Sequence, residues 1–103
     1  MKQWVDVAGV DEFEGTDRKA VDLGDEKQLG LFKTRDGLFA ISAWCSHEKA
    51  SLLLGEITGG EIMCPLHGAR FDLKTGRNLS LPAVRPIKVY EVKLEGGRVL
   101  VWI

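Results

Sequence analysis

Cysteine and histidine are both scarce in this chain of 103 residues, with two of each. A disulfide-stapled secreted scaffold is thereby excluded, because at most one bridge could form. No stretch approaches the roughly 20 apolar residues of a membrane span. The N-terminus, Met1-Lys2-Gln3-Trp4-Val5-Asp6, lacks an apolar core followed by a cleavage site. A soluble, cytoplasmic protein with no membrane association is the expectation. An excess of one charge is missing too: 14 basic against 15 acidic residues leave no strong field to hold nucleic acid. Residues 1–40 carry nine acids and six bases, and residues 41–103 carry six and eight. That asymmetry reads first as solvated surface and second as a polar face for a transient partner.

Long helices are absent as well, and strand signals fill their place. Lys2 to Ala8 alternates, and Ala20-Val21-Asp22-Leu23 is a second short candidate. Gly9 to Lys19 between them is polar and acidic apart from Val10 and Phe13 and reads as a loop or an irregular turn. Gln28 to Thr34 and Leu38 to Ala43 flank Arg35-Asp36-Gly37, where the Asp-Gly step suits a tight hairpin. Glu48 to Gly55 is the one stretch that could form a helical turn. Glu56-Ile57-Thr58 and Glu61-Ile62-Met63 surround Gly59-Gly60 as a further hairpin, followed by a short strand over Ala69 to Asp72 and a turn at Lys74-Thr75-Gly76. Pro82 and Pro86 bracket a segment that cannot be central sheet. Ile87 to Leu94 and Val99 to Ile103 are the closing strands. About nine short strands with frequent glycine turns predict an all-β, antiparallel sandwich or barrel. No repeat, low-complexity tract or linker divides it, so residues 1–103 form one domain, with a metal-carrying subdomain over about residues 44–72.

Every cysteine and histidine falls in two short words, Cys45-Ser46-His47 and, sixteen intervening residues later, Cys64-Pro65-Leu66-His67. Thiolate and imidazole in each word can grip iron or zinc. A zinc ion would accept the set tetrahedrally, yet ordinary zinc spacings pair Cys with Cys and His with His, whereas here each word is mixed. A Cys-His nucleophile would use one word and leave the other unexplained. A buried set with no metal is the remaining alternative. A two-iron cluster uses both words: Cys45 and Cys64 would take the inner iron, His47 and His67 the outer. Replacing two thiolates by neutral imidazoles removes negative charge and raises the reduction potential.

The two words, with Gly68 after the second, resemble the Rieske iron-sulfur motif. Ala50, Leu52, Gly55, Phe71-Asp72, Gly76 and Pro82 extend the resemblance across the chain from Trp4 to Ile103. It is nearest to the small Rieske ferredoxins of bacterial aromatic-ring-hydroxylating dioxygenases. The resemblance implies a Rieske-type β-sandwich with a small cluster-binding subdomain formed by two hairpin loops, and one 2Fe-2S cluster on Cys45, His47, Cys64 and His67. It also implies an electron carrier rather than an enzyme, taking single electrons from a flavin-dependent reductase to a terminal oxygenase component. A monomer is expected. The chain is too short for a mononuclear iron site of its own, so it is not the oxygenase; the small subunit of a nitrite reductase is the other reading for this motif. Respiratory Rieske proteins carry an extra disulfide and place a serine and a tyrosine hydroxyl against sulfur. Here Ala50 or its neighbours and Leu66 replace the cysteines, and Ala69 and Phe71 replace the hydroxyls. A low potential follows, on the order of −150 mV.

Around the words, Pro65 and Gly68 are expected to shape the second loop, and Leu66 to lie at an exposed tip that shields the cluster and meets a partner. Of Leu52-Leu53-Leu54, Leu52 is the one expected inside. Trp44, Trp4, Trp102 and Tyr90 read as core. Glu48 and Lys49 read as a solvated pair or as docking charge. Asp11, Glu12, Glu14 and Asp17 read as solvated surface, with a basic partner as the other reading.

Overall fold

The computed structural model describes residues 2–24, 27–45, 50–66, 68–81 and 85–103. The strands are β1 (Trp4–Gly9), β2 (Arg18–Gly24), β3 (Lys27–Thr34), β4 (Gly37–Ser42), β5 (Glu56–Thr58), β6 (Glu61–Met63), β7 (Arg70–Asp72), β8 (Val89–Tyr90), β9 (Val92–Glu95) and β10 (Arg98–Trp102). Two three-ten turns, Val10–Phe13 and Leu52–Leu54, are the only helical elements among the described residues. All strand pairs are antiparallel, and they form three sheets ordered β1-β10-β9, β2-β3-β4-β8 and β5-β6-β7. The expected all-β antiparallel architecture is therefore present. No helix among the described residues is long and apolar enough to cross a membrane.

The four-stranded sheet is the middle layer. Side chains alternate across a strand, so Leu29 and Leu31 of β3 face one way and Phe32 the other. Leu29, Leu31 and Ala40 join Val99, Val101 and Phe13 in one buried cluster. Phe32 and Ile41 join Leu52, Ile62, Phe71 and Leu73 in the other. Four consecutive residues of β3, from Leu29 to Phe32, are consequently buried. This explains why that strand reads as an apolar run with little alternation, which is the pattern of a strand covered on both faces.

The hairpins lie where the turn residues predicted, except that the two-residue turn between β3 and β4 is Arg35-Asp36, with Gly37 (φ 122°) already paired to Thr34 as the first residue of β4. Gly59 and Gly60 both take positive φ, 55° and 83°, and close β5 onto β6 in the register Thr58↔Glu61. Two further expectations need correction. Ile87 to Leu94 is not one strand: Val89 and Tyr90 pair with Ile41 and Ala40 of β4, whereas Val92 to Glu95 pair with β10. At the crossing point Glu91 accepts a hydrogen bond from the Trp102 amide at 3.0 Å. Alternation of side chains continues through such a change of partner, so periodicity could not reveal it. Trp4 is also not core. It stands on the outer face of its sheet, 5.3 Å from the ring of Trp102, another expected core residue that likewise lies outside both buried clusters, with the Lys93 ammonium 4.5 Å from the Trp4 centroid. Arg98 donates to Asp6 beside them at 2.9 Å, holding that carboxyl below its ordinary range.

Gly30 is fixed by a close approach. A Cβ there would lie 2.6 Å from Phe32 Cε2 and 3.1 Å from Leu53 Cδ2, at the place where the middle sheet meets the Leu52–Leu54 turn of the metal-side layer. Gly30→Val should overpack this contact and cost about 1–3 kcal/mol, read as a lowered denaturation midpoint. An unchanged midpoint would contradict the close packing of these two layers.

Candidate metal centre

Each cysteine ends a strand-like arm and is the last paired residue before a loop. In the first hairpin Leu52 donates to the Ala43 carbonyl at 2.7 Å, Trp44 bridges Ser51, and the Cys45 amide donates to the Ala50 carbonyl at 2.9 Å. In the second, Met63 pairs with Arg70 and the Cys64 amide donates to the Ala69 carbonyl at 2.7 Å. The closing bond in both cases joins a cysteine to the alanine five residues later, and both alanines are buried. The words therefore differ inside (Cys-x-His against Cys-x-x-His) but sit in loops of one length, Cys-Ser-His-Glu-Lys-Ala and Cys-Pro-Leu-His-Gly-Ala. That six-residue repeat is legible in the sequence only through the alanine that closes each loop, since the ligand spacings themselves differ.

The two sulfurs are brought together in chemistry as well as in chain geometry. Cys45 and Cys64 are 6% and 1% exposed, belong to one buried cluster with Phe32, Leu52, Ile62 and Phe71, and form no disulfide. Two thiolates in an apolar layer need a compensating cation. Soft sulfur donors delivered by two loops, each loop also carrying a histidine in its sequence, suit an iron-sulfur cluster. His47 and His67, with Ser46, Glu48 and Lys49, lie outside the described residues, as does Pro82.

Other sequence-predicted residues fall as follows. Leu66 is 47% exposed at the second loop. Gly68 takes a φ of 72°, which returns that loop towards Ala69. Leu52 is buried and Leu54 exposed, as expected. Ala69 and Phe71 are fully buried, and neither side chain carries a hydroxyl. Trp44 is a correction: it is 45% exposed, because Cys45 takes the inward position and its neighbour on an extended backbone must point the other way. Among the four N-terminal acids, Glu12 pairs with Lys19 at 2.7 Å and accepts from the Gly9 amide, and Asp17 pairs with Arg18 at 2.8 Å. Those two are engaged within the chain.

Residues 3–91 match the Rieske [2Fe-2S] domain. The chain belongs to that family. As a Rieske protein it is 37% identical over 100 residues to the ferredoxin component of a naphthalene 1,2-dioxygenase system from Pseudomonas aeruginosa, covering 97% of this chain and 95% of that one. It is 33% identical to the anthranilate 1,2-dioxygenase ferredoxin subunit of Burkholderia cepacia, covering 96% and 91%. Among solved structures, the ferredoxin of carbazole 1,9a-dioxygenase from Nocardioides aromaticivorans IC177 superposes with a TM-score of 0.86 at 37% identity, covering 96% of each chain. A chain from a complex of reduced oxygenase and oxidized ferredoxin in carbazole 1,9a-dioxygenase superposes at 0.87 and 31% identity, covering 95% of this chain and 91% of that one. A nitrite reductase small subunit from Mycobacterium tuberculosis, at 24% identity and a TM-score of 0.82, shares the fold. One Rieske-type 2Fe-2S cluster is the cofactor of this chain, and the zinc and metal-free readings fall away.

Because both cysteines lie in the main core, a cluster held by them binds the folded state and not the unfolded chain, so loss of iron removes its mass-action stabilisation. Removing the metal from purified protein with a chelator should lower the thermal midpoint by about 10 °C or more. A midpoint indifferent to iron would show that the cysteine layer packs without it.

Proposed function

We propose that this Rieske protein is the ferredoxin component of an aromatic-ring-hydroxylating dioxygenase system, a soluble cytoplasmic monomer. It takes one electron from a flavin-dependent reductase and delivers it to a terminal oxygenase. It is the carrier in such a system and not the catalyst. The observation that carries this reading is the pair of matched hairpins, each ending on a buried cysteine and each carrying one histidine in its loop. The oxygenase as partner is supported by likeness to the ferredoxin found in complex with its reduced oxygenase.

Cys45 and Cys64 are assigned to the inner iron, and His47 and His67 to the outer. A bound Rieske cluster supplies one-electron storage. The chain's own residues then do three things. The cysteine layer shields the inner side from water, since Leu52, Ile62 and Phe71 pack around it. The loop residues Leu66 and Trp44, both exposed, offer apolar surface from which a partner can expel water on docking. Segment 78–80 runs beside β7 through the Phe71↔Asn78 bridge and a 2.8 Å bond from Leu79 to the Arg70 carbonyl, and Leu81 after it is exposed.

Ala69 and Phe71 set the direction of the potential. Hydrogen bonds to sulfur favour the more negative, reduced cluster, so a site without these hydroxyls binds its electron less tightly. A redox titration of the purified protein should give a midpoint near the low end of the Rieske range, on the order of −150 mV, and reconstitution with reductase and oxygenase should sustain turnover. His47→Ala or His67→Ala should abolish the visible chromophore and the electron transfer together. A midpoint well above zero would contradict the role given to Ala69 and Phe71, and a histidine variant that kept its spectrum would remove that residue from the ligand set.

A further inference from the structure

Arg18 opens β2, at the edge of the middle sheet, and it reaches into the metal-side layer. Its guanidinium donates to the Leu53 carbonyl at 2.9 Å and to the Gly55 carbonyl. These oxygens lie at the end of the Leu52–Leu54 turn, which has no basic residue of its own there. The turn belongs to the return arm of the first cysteine hairpin, while Gly55 leads straight into β5 and packs against the backbone of Met63, one residue before Cys64. One side chain therefore holds the corner shared by both hairpins.

The charge of Arg18 has a direction as well. It stands opposite Phe32 in the β2–β3 register and lies over that ring, 5.4 Å from its centroid. Phe32 belongs to the buried cluster that contains Cys45 and Cys64. On the outer side Arg18 pairs with Asp17 at 2.8 Å, the arginine side chain being 25% exposed and the aspartate 54%. That contact holds the Asp17 carboxyl below its ordinary range, so it is ionised at neutral pH. The pair is thus an oriented dipole, with its cation facing the apolar side and its anion in water. Water screens the anion, whereas the cation acts through a medium of lower dielectric.

We infer that Arg18 is a positioning residue for the metal centre, pinning the corner that joins the two ligand hairpins and favouring the reduced cluster through its inward charge. The inference rests on the electron-carrier reading. It also makes Arg18 a counterweight to Ala69 and Phe71: the missing hydroxyls disfavour the extra electron, and the cation welcomes it.

Redox titration of cluster-loaded Arg18→Met and Asp17→Asn separates charge from loosening. Both substitutions break the same ion pair, so mere loosening shifts both midpoints the same way, whereas charge shifts them in opposite directions. Arg18→Met should reduce the ratio of reduced to oxidised protein at a fixed poise by about three- to tenfold, a tenfold change being about 59 mV for one electron. Asp17→Asn should raise the ratio, by a smaller factor of about two, since its carboxylate is the more exposed. Arg18→Lys keeps the charge but cannot fork onto the Asp17 carboxylate through two nitrogens while a third donates to both carbonyls, so it should hold the midpoint near that of the unaltered protein while lowering the melting temperature. Shifts of the same sign in the first two variants, or no shift in either, would overturn the inference. Should Arg18→Met fail to load its cluster, Asp17→Asn decides alone: a raised midpoint supports the inference, and an unchanged or lowered one overturns it. Absence of a Rieske spectrum in the unaltered protein would instead sink the carrier reading itself, and the inference with it.

Discussion

Two cysteines buried in one apolar layer are the constraint on which the rest of this molecule depends. That layer is the same one that seats the β5-β6-β7 sheet on the middle sheet, with Phe32 and Ile41 below and Ile62 and Phe71 above. Sulfur thus sits in the seam between two sheets and not in a detachable flap. The hairpins meet the constraint in the same way twice, each cysteine amide bonding the carbonyl of an alanine five residues on. Buried alanine keeps the volume beside the sulfur small, and among the four residues between, the sequence puts histidine second in one loop and third in the other. Fixing the backbone at the two cysteines leaves the histidine words to vary in length without changing the frame.

Much of this was legible in the sequence, for reasons that are local. Asp36-Gly37 and Gly59-Gly60 announce hairpins because few other residues take the turn's dihedral angles. The mixed Cys-His words announce iron because their chemistry and their duplication are both unusual. Less legible features depend on what lies across the fold. Trp44 looks like core from its composition and faces out because Cys45 claims the inside. The split of Ile87 to Leu94 between two sheets leaves alternation intact and changes only the pairing partner. Arg18 carries no local signature at all: its acceptors, Leu53 and Gly55, are 35 and 37 residues away, and an arginine at a strand start reads as solvated surface.

Seen as electrostatics, the site balances opposed influences. Neutral imidazoles on the outer iron raise the potential relative to an all-thiolate cluster. Alanine and phenylalanine at positions 69 and 71, both fully buried, withhold hydrogen bonds that would raise it further. An inward cation at Arg18, leaning on a ring of the cysteine layer, pulls the other way. A carrier works between an electron donor and an electron acceptor, and where their potentials are similar, small adjustments of this kind decide which way the electron runs.

The central claim is that one iron is held by Cys45 and Cys64 and the other by His47 and His67. Electron paramagnetic resonance on the dithionite-reduced protein tests it most directly. A rhombic signal is expected, with an average g well below that of all-thiolate 2Fe-2S clusters, because the reducing electron localises on the histidine-bound iron. A signal with the average g of an all-thiolate cluster, or a silent spectrum from protein that carries metal, would contradict it.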